Sequence, residues 1–190
     1  MAWVNALVLR VFDVVLASLS LLLLWPVLLI LSMLVWLDTR SPLFRQERVG
    51  RYQQPFVLVK FRTMRLGSAS VPSHLASSSA ITPFGAILRR TKLDELPQLW
   101  NVLIGDMSLV GPRPGLFIQH ELTAARAAQG VYLVRPGITG LSQVNGIDMS
   151  DPETISQTDA QMLKGLNIKN YFKLIFLTIC GKGSGDGIKK

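Results

Sequence analysis

The feature that most constrains this chain is an uncharged apolar run near its N-terminus, from Val14 to Leu37. As a straight helix the run would be roughly 36 Å long, and the hydrocarbon core of a bilayer is about 30 Å thick. Apolar residues occupy every side of such a helix, which is typical of contact with lipid rather than of an amphipathic surface helix. Polar sequence follows directly, without a small-residue cleavage site, and this disfavours a cleaved signal peptide. We therefore predict a membrane helix in residues 1–38 and a second domain in residues 39–190.

Pro26 lies near the middle of this run and predicts a kink, because proline removes one backbone hydrogen bond and clashes with the preceding turn. The helix could span the bilayer with a kink, or bend and leave by the face at which it entered. Kinked spans are well tolerated, so physical reasoning alone favours the span. The more basic flank should be cytoplasmic, which puts the rest of the chain in the cytoplasm in either case. One arginine precedes the run and four follow it: Arg10, then Arg40, Arg45, Arg48 and Arg51.

The composition narrows the partners and the metals that this chain could use. Twenty Lys and Arg residues against 12 Asp and Glu residues give a formal charge of +8, which indicates a polyanionic partner such as nucleic acid, acidic lipid or a phosphorylated ligand. The arginines gather around Gly/Pro turns rather than along a recognition helix, which disfavours nucleic acid. One cysteine and two histidines are too few for a zinc site, so any metal should be a hard ion bound by oxygen.

The segment from Thr91 to Pro114 contains the strongest candidate for a reactive site. The adjacent carboxylates Asp94 and Glu95 precede apolar residues at helical spacing, and Pro97 is tolerated in a first turn, so we predict a helix that begins near Asp94. The pair could be a simple N-cap. Basic residues stand on both sides, however, and Arg113 lies in a rigid Gly-Pro-Arg-Pro turn, where its guanidinium is suited to bidentate contact with phosphate. The segment therefore predicts a site for an anion and a divalent cation.

Other stretches predict elements around this segment. Residues 38–54 are polar and basic and indicate a surface segment next to the membrane. Residues 55–64 alternate enough to predict a strand, with Lys60 and Arg62 on one face, either as a solvated edge or as phosphate contacts. The Gly-rich stretch 134–146 contains Arg135, a further candidate for phosphate. Residues 167–180 predict an amphipathic helix, which either packs on the core or lies on the bilayer.

Three blocks follow the apolar run in a fixed order: KFRTM, TKLDELPQLWNVLIGDMSLVGPRP and VRPGITGLSQVNG. Together they resemble the signature of the bacterial sugar transferases that are monotopic polyprenyl-phosphate phosphoglycosyl transferases, in their small single-domain form. The resemblance implies a helix-rich α/β fold: a compact catalytic domain, residues 39–190, on the cytoplasmic face of the bacterial inner membrane, with amphipathic interfacial helices. It also implies a re-entrant membrane helix broken at Pro26, and so reverses the preference for a span.

The chemistry implied by the resemblance is the transfer of a sugar 1-phosphate from a UDP-sugar to undecaprenyl phosphate, with release of UMP. This would be the first membrane step in the assembly of an O-antigen, capsule, exopolysaccharide or glycoprotein glycan. Asp94 would form an aspartyl sugar-phosphate intermediate, and Glu95 would be a second catalytic residue and a ligand of Mg²⁺, which screens the repulsion between carboxylate and diphosphate. The residues expected to contact phosphate or nucleotide are Lys60, Arg62, Arg89, Arg113 and Arg135.

Two other functions stay open at this point: a non-catalytic membrane scaffold of a glycan assembly complex, and a direct-transfer glycosyltransferase that releases UDP. The chain also departs from the family pattern. Leu141 and Ser142 stand where relatives have Trp-Ala, and Ile147 stands where many have arginine, which hints at a distinct sugar preference. The sugar, the glycan pathway and the formation of a homodimer are left open by the sequence.

Overall fold

The computed structural model describes residues 2–68 and 78–183. Its first element is α1, Ala2–Thr39, a helix that is long and apolar enough to cross a membrane by length and composition. The predicted break at Pro26 is absent, because the helical backbone continues through this residue. Proline removes only one backbone hydrogen bond. Leu21 and Leu28, on either side of it, pack against the rest of the protein and hold the helix in place.

One face of α1 packs against the folded domain over most of the length of the helix. Its side chains enter three apolar clusters of the domain, one after another along the helix. The α1 residues in these clusters are, in order, Leu9, Phe12 and Leu16, then Ala17 and Leu21, and last Leu28, Leu31 and Val35. The opposite face is exposed and apolar, with large side chains that include Leu22, Leu23, Trp25, Leu29 and Ile30. The helix is therefore apolar all round, as predicted, but it lies along the domain instead of projecting from it.

A β-hairpin follows α1 directly. Strands β1, Leu43–Val49, and β2, Pro55–Phe61, pair antiparallel, with Leu43 opposite Phe61. The predicted strand in residues 55–64 is confirmed by β2. The prediction of a surface segment for residues 38–54 missed β1, because four of its residues are polar and conceal its alternation.

The central elements lead to the carboxylate pair. Helix α2, Pro83–Thr91, is capped by Thr82, whose hydroxyl oxygen accepts a hydrogen bond from Gly85 N at 2.9 Å. A short 3₁₀ turn, Leu93–Glu95, follows, and then helix α3, Gln98–Ile104. The prediction of one helix from Asp94 was wrong, because Pro97 has no N–H to donate and α3 begins only after it.

The remaining elements complete a helix-rich α/β domain, as predicted. A short parallel pair joins β3, Ser108–Val110, to β4, Gly137–Thr139. The helices in this part are α4, His120–Ala128; α5, Leu141–Val144; α6, Pro152–Lys164; and α7, Ile168–Ile179.

Core packing of the last amphipathic stretch is confirmed for one face of α7, and contact of its other face with the bilayer stays a prediction. Tyr171 and Leu174 are buried in an apolar cluster with Val110 of β3. Phe176 and Ile179 remain exposed, at 64% and 78% of their surface. Helix α7 therefore packs on the core and leaves an apolar strip uncovered.

Candidate active site

The carboxylate pair lies in the 3₁₀ turn between α2 and α3. Asp94 is only 3% exposed. Glu95 forms an ion pair with Arg113, with 2.8 Å between Oε1 and Nη2. The side chain of Glu95 is 14% exposed and that of Arg113 is 30% exposed, so the pair lies at the rim of the buried turn. The structure thus joins two parts of the predicted site that are 18 residues apart in sequence.

The Gly-Pro-Arg-Pro loop that presents Arg113 follows β3 and is held from outside. Its two prolines have no N–H group, so the loop cannot close with its own backbone hydrogen bonds at these positions. The carbonyls of four successive residues, 112 to 115, instead accept hydrogen bonds from other parts of the chain. The donors are, in order, Gly137 N at 2.9 Å, Arg126 Nη1 at 2.7 Å, Arg48 Nη1 at 3.1 Å and Val49 N at 3.0 Å.

A small cleft opens between β2, the first residue of α3 and this loop. Arg48, Lys60, Gln98 and Arg113 contribute to its walls. Three cationic side chains in one cleft make it suited to an anion. The sequence prediction included Lys60 and Arg113 but missed Arg48, which is buried at the end of β1. Recognition of β1 as a strand would have indicated that Arg48 and Lys60 lie on neighbouring strands.

Lys60 of β2 and Arg62, one residue beyond the end of this strand, lie on the same side, as predicted. Both cationic groups lie near the ring of Phe44, at 5.8 Å and 5.4 Å from its centroid. The Arg62 guanidinium also donates to the carbonyls of Ser41 and Leu43 at 3.3 Å and 3.4 Å. Lys60 therefore contributes to the cleft, whereas Arg62 is attached to the connection between α1 and β1.

Arg89 and Lys92 bring further positive charge near the carboxylate turn. Arg89, in the last turn of α2, donates from Nε to the hydroxyl of Thr63 at 2.8 Å. Lys92 Nζ donates to the carbonyl of Lys182 at 2.6 Å. Burial lowers the pKa of Lys92, the charge of Arg113 lowers it further, and Glu95 opposes both effects. Lys92 is therefore within electrostatic reach of the Glu95–Arg113 pair.

Arg135 lies at the other end of α3 from the carboxylates. Its Nε donates to the carbonyl of Gly105 at 2.7 Å, where α3 ends. Arg10 binds the same end through the carbonyl of Val102 at 2.8 Å. Burial lowers the pKa of Arg135, and the charges of Arg10 and Arg51 add to this effect. Cations at a helix C-terminus are favourable, which accounts for this position, and a role in phosphate contact stays a prediction.

The arrangement can provide a nucleophilic carboxylate beside positive charge. Within residues 2–68 and 78–183 there is no cluster of three or more His, Cys, Asp or Glu side chains that could hold a metal. Magnesium ions commonly use one or two protein carboxylates and take their other oxygen ligands from water and substrate phosphates. Asp94 and Glu95 fit this mode of binding, which requires no larger acidic cluster.

Sequence comparisons identify relatives of this chain among known proteins. The family model described as "Bacterial sugar transferase" matches residues 4–182. A UDP-galactose-lipid carrier transferase of Erwinia amylovora is 37% identical over 187 residues, which cover 90% of this chain and 39% of the relative. A UDP-glucose:undecaprenyl-phosphate glucose-1-phosphate transferase of Escherichia coli K12 is also 37% identical over 187 residues, covering 93% of this chain and 40% of the relative. A protein of the same name from Caulobacter vibrioides is 44% identical over 143 residues, covering 73% of this chain and 54% of the relative.

The chain thus spans about two fifths of the length of the first two relatives. Because the family match extends from α1 to the end of α7, it covers the carboxylate turn, the Arg113 loop and the cationic cleft together. The chain belongs to the bacterial sugar transferase family.

Proposed function

We propose that this chain transfers a sugar 1-phosphate from a UDP-sugar to undecaprenyl phosphate and releases UMP, as the first membrane step of glycan assembly. The observation that carries this proposal is the buried Asp94 beside the Glu95–Arg113 ion pair. The relatives support the substrate classes, since their names specify UDP-glucose, UDP-galactose and undecaprenyl phosphate.

Asp94 is the proposed nucleophile. A carboxylate oxygen attacks the β-phosphorus of the donor, the bond between this phosphorus and the oxygen of UMP breaks, and UMP leaves with the electron pair. An oxygen of undecaprenyl phosphate then attacks the same phosphorus, and the bond to Asp94 breaks. Two displacements at phosphorus divide one difficult transfer into two easier ones and regenerate the carboxylate.

The cations of the site would counter the charge of the diphosphate. Arg113 and Lys60 line the cleft next to the turn, and Arg48 joins them. Fixed positive groups aimed at developing negative charge stabilise a transition state strongly in a partly buried site. We place Arg89 and Arg62 nearer its margin, as further phosphate contacts.

Asp94 and Glu95 are the residues that would hold Mg²⁺. When bound, this ion would neutralise charge on the diphosphate and polarise its oxygens. Glu95 Oε1 accepts a hydrogen bond from Arg113 Nη2 at 2.8 Å, which orients the carboxylate. Its other oxygen, Oε2, would be the ligand of the ion. We therefore expect UMP release to require added Mg²⁺ and to stop when a chelator is added.

We propose that α1 keeps both of its ends on one side of the membrane. Near its start, Arg10 donates to the end of α3, and near its end Asp38 accepts a hydrogen bond from Thr82 at 2.5 Å. A helix tied to the same domain at both ends does not carry one end across a bilayer. Helices α1 and α7 are neighbours, since Phe12 contacts Phe172 with 5.1 Å between their ring centroids, and each helix also has exposed apolar side chains.

This surface would lie in the cytoplasmic leaflet of the inner membrane, where basic residues are attracted to anionic lipid and the catalytic turn can reach a lipid phosphate. A cleavable tag placed before Ala2 should resist protease in intact spheroplasts and be cut after permeabilisation. Cleavage in intact spheroplasts would show that α1 spans the membrane.

The test of the reaction is the identity of the nucleotide product. Purified wild-type protein and the Asp94→Asn variant are incubated with undecaprenyl phosphate, Mg²⁺ and a panel of UDP-sugars. Asp151→Asn is the matched control, because Asp151 is an exposed N-cap of α6 and asparagine caps a helix equally well. We expect UMP from the wild type and from the control, and a loss of at least about 1,000-fold with Asp94→Asn, as for other nucleophiles.

Two results would contradict the proposal in different ways. Release of UDP instead of UMP would identify direct glycosyl transfer. Binding of the protein to membranes without nucleotide release from any donor would favour the scaffold.

A further inference from the structure

A buried ion pair lies behind the Arg113 loop, between α4 and α6. Arg126 Nη2 donates to Asp159 Oδ2 at 2.7 Å, and the two side chains are 2% and 0% exposed. A third element joins them, since the Ser142 hydroxyl of α5 donates to Asp159 Oδ1 at 2.7 Å. None of these three residues belongs to the predicted site.

The same arginine contacts the backbone of the residue that binds Glu95. Arg126 Nη1 donates to the carbonyl oxygen of Arg113 at 2.7 Å. The side chain of the same residue, Arg113, donates from its guanidinium to Glu95. The prolines on both sides of Arg113 have no N–H group, so the loop depends on hydrogen-bond donors from other parts of the chain. A rotation of this peptide would displace the guanidinium, because the side chain is attached to the same unit.

We propose that Arg126 and Asp159 are positioning residues for Arg113. Asp159 orients the Arg126 guanidinium, and Arg126 holds the Arg113 carbonyl so that the Arg113 side chain meets Glu95 and the phosphorylated substrate. This inference rests on the proposed function, because it assigns the pair a task in that reaction.

Stability alone gives a weak reason to bury such a pair. Removal of two charges from water is costly, and apolar replacement of a buried ion pair is often neutral or stabilising. Burial raises the pKa of the Asp159 carboxyl, and the charge of Arg126 and the hydroxyl of Ser142 oppose this effect.

The main test separates positioning from packing with the variant Arg126→Met/Asp159→Leu. This double variant replaces the ion pair by apolar side chains and removes the donor to the Arg113 carbonyl. We expect a Tm close to that of the wild type and a fall in kcat for UMP release of about 100-fold, the scale associated with misplacement of a catalytic group by about 1 Å. Arg65→Met is the control, because Arg65 is exposed. Wild-type kcat in the folded double variant would overturn the proposal.

A second measurement covers the case in which the double variant does not fold. Arg126→Lys keeps a positive charge beside Asp159, but one ammonium cannot reproduce the planar two-armed contact. Its effect on kcat is measured in the wild type and in the Arg113→Ala background. We expect a loss in the first and less than a twofold loss in the second, since both changes act through one guanidinium. Equal losses in both backgrounds would overturn the proposal.

The two proposals fail in different ways. If wild-type protein releases no UMP, the proposed function is refuted. If the wild type releases UMP and the folded Arg126 variants do so at the same rate, the proposed function stands and the positioning role is refuted.

Discussion

Asp13 makes the attachment of α1 to the domain testable. Although it lies in the long apolar helix α1, this residue is only 3% exposed. Its Oδ1 accepts three hydrogen bonds, from the Ser108 hydroxyl at 2.9 Å, the Leu109 N–H at 2.8 Å and the Tyr171 hydroxyl at 2.8 Å. One carboxylate oxygen thus joins α1 to β3 and α7.

The cost of removing this carboxylate follows from its partners. Asp13→Ala would leave one buried donor (Tyr171) and two partly buried donors (Ser108 and Leu109) without this acceptor, and a fully buried donor without a partner costs about 1–3 kcal/mol. Because the structure relaxes and water can enter, we take about 3 kcal/mol as the expected loss in the free energy of unfolding. For a chain of this length 1 kcal/mol corresponds to about 2–4 °C, so Tm should fall by about 10 °C.

The assay is thermal unfolding of the detergent-solubilised protein, followed by tryptophan fluorescence. Ser18→Ala is the control, since Ser18 lies on the exposed face of α1 and its replacement should leave Tm unchanged. A fall of less than 2 °C for Asp13→Ala, similar to that of the control, would refute the reasoning and show that the N-terminal half of α1 is not held by this carboxylate.

Two further predictions follow from close contacts in the domain. Burial first, and then the Asp13 carboxylate, raise the pKa of Tyr171, so the fold favours the neutral phenol. This contribution is complete below the unfolded pKa of about 10 and is lost as pH rises further, so the free energy of unfolding should decline above about pH 10. Tyr171→Phe should flatten this decline in urea titrations from pH 9 to 11, and an unchanged slope would contradict the assignment. A Cβ at Gly137 would lie 2.0 Å from Gly111 N, so Gly137→Ala should separate β3 from β4 and abolish UMP release, whereas Gly165→Ala, where only ordinary contacts of 3.7 Å or more arise, should retain it.

Local sequence signals predicted several elements correctly. The uncharged run predicted α1, and the alternation around Lys60 predicted β2. Each of these signals is short in range, because periodicity depends on residues within a few positions. The errors were also local: polar residues concealed β1, and helical spacing extended α3 across Pro97.

The candidate site was predictable only where one segment contained its signal. Asp94, Glu95 and Arg113 stand in one continuous block, and Lys60 stands in another block of the family pattern. Arg48 and Arg126 gave no comparable signal. Each donates a hydrogen bond to a carbonyl of the Arg113 loop, 66 and 13 residues away in sequence.

The sequence by itself determined that the chain has a helix long and apolar enough to cross a membrane, an adjacent carboxylate pair and several arginines suited to phosphate. The tertiary structure decided which arginines meet the carboxylates: Arg113 does, whereas Arg135 lies at the other end of α3. It also decided that α1 packs along the domain through Asp13. The physical reason is that hydrophobicity and helix signals are properties of a segment, whereas a hydrogen bond or an ion pair needs two groups that the fold alone brings within about 3 Å.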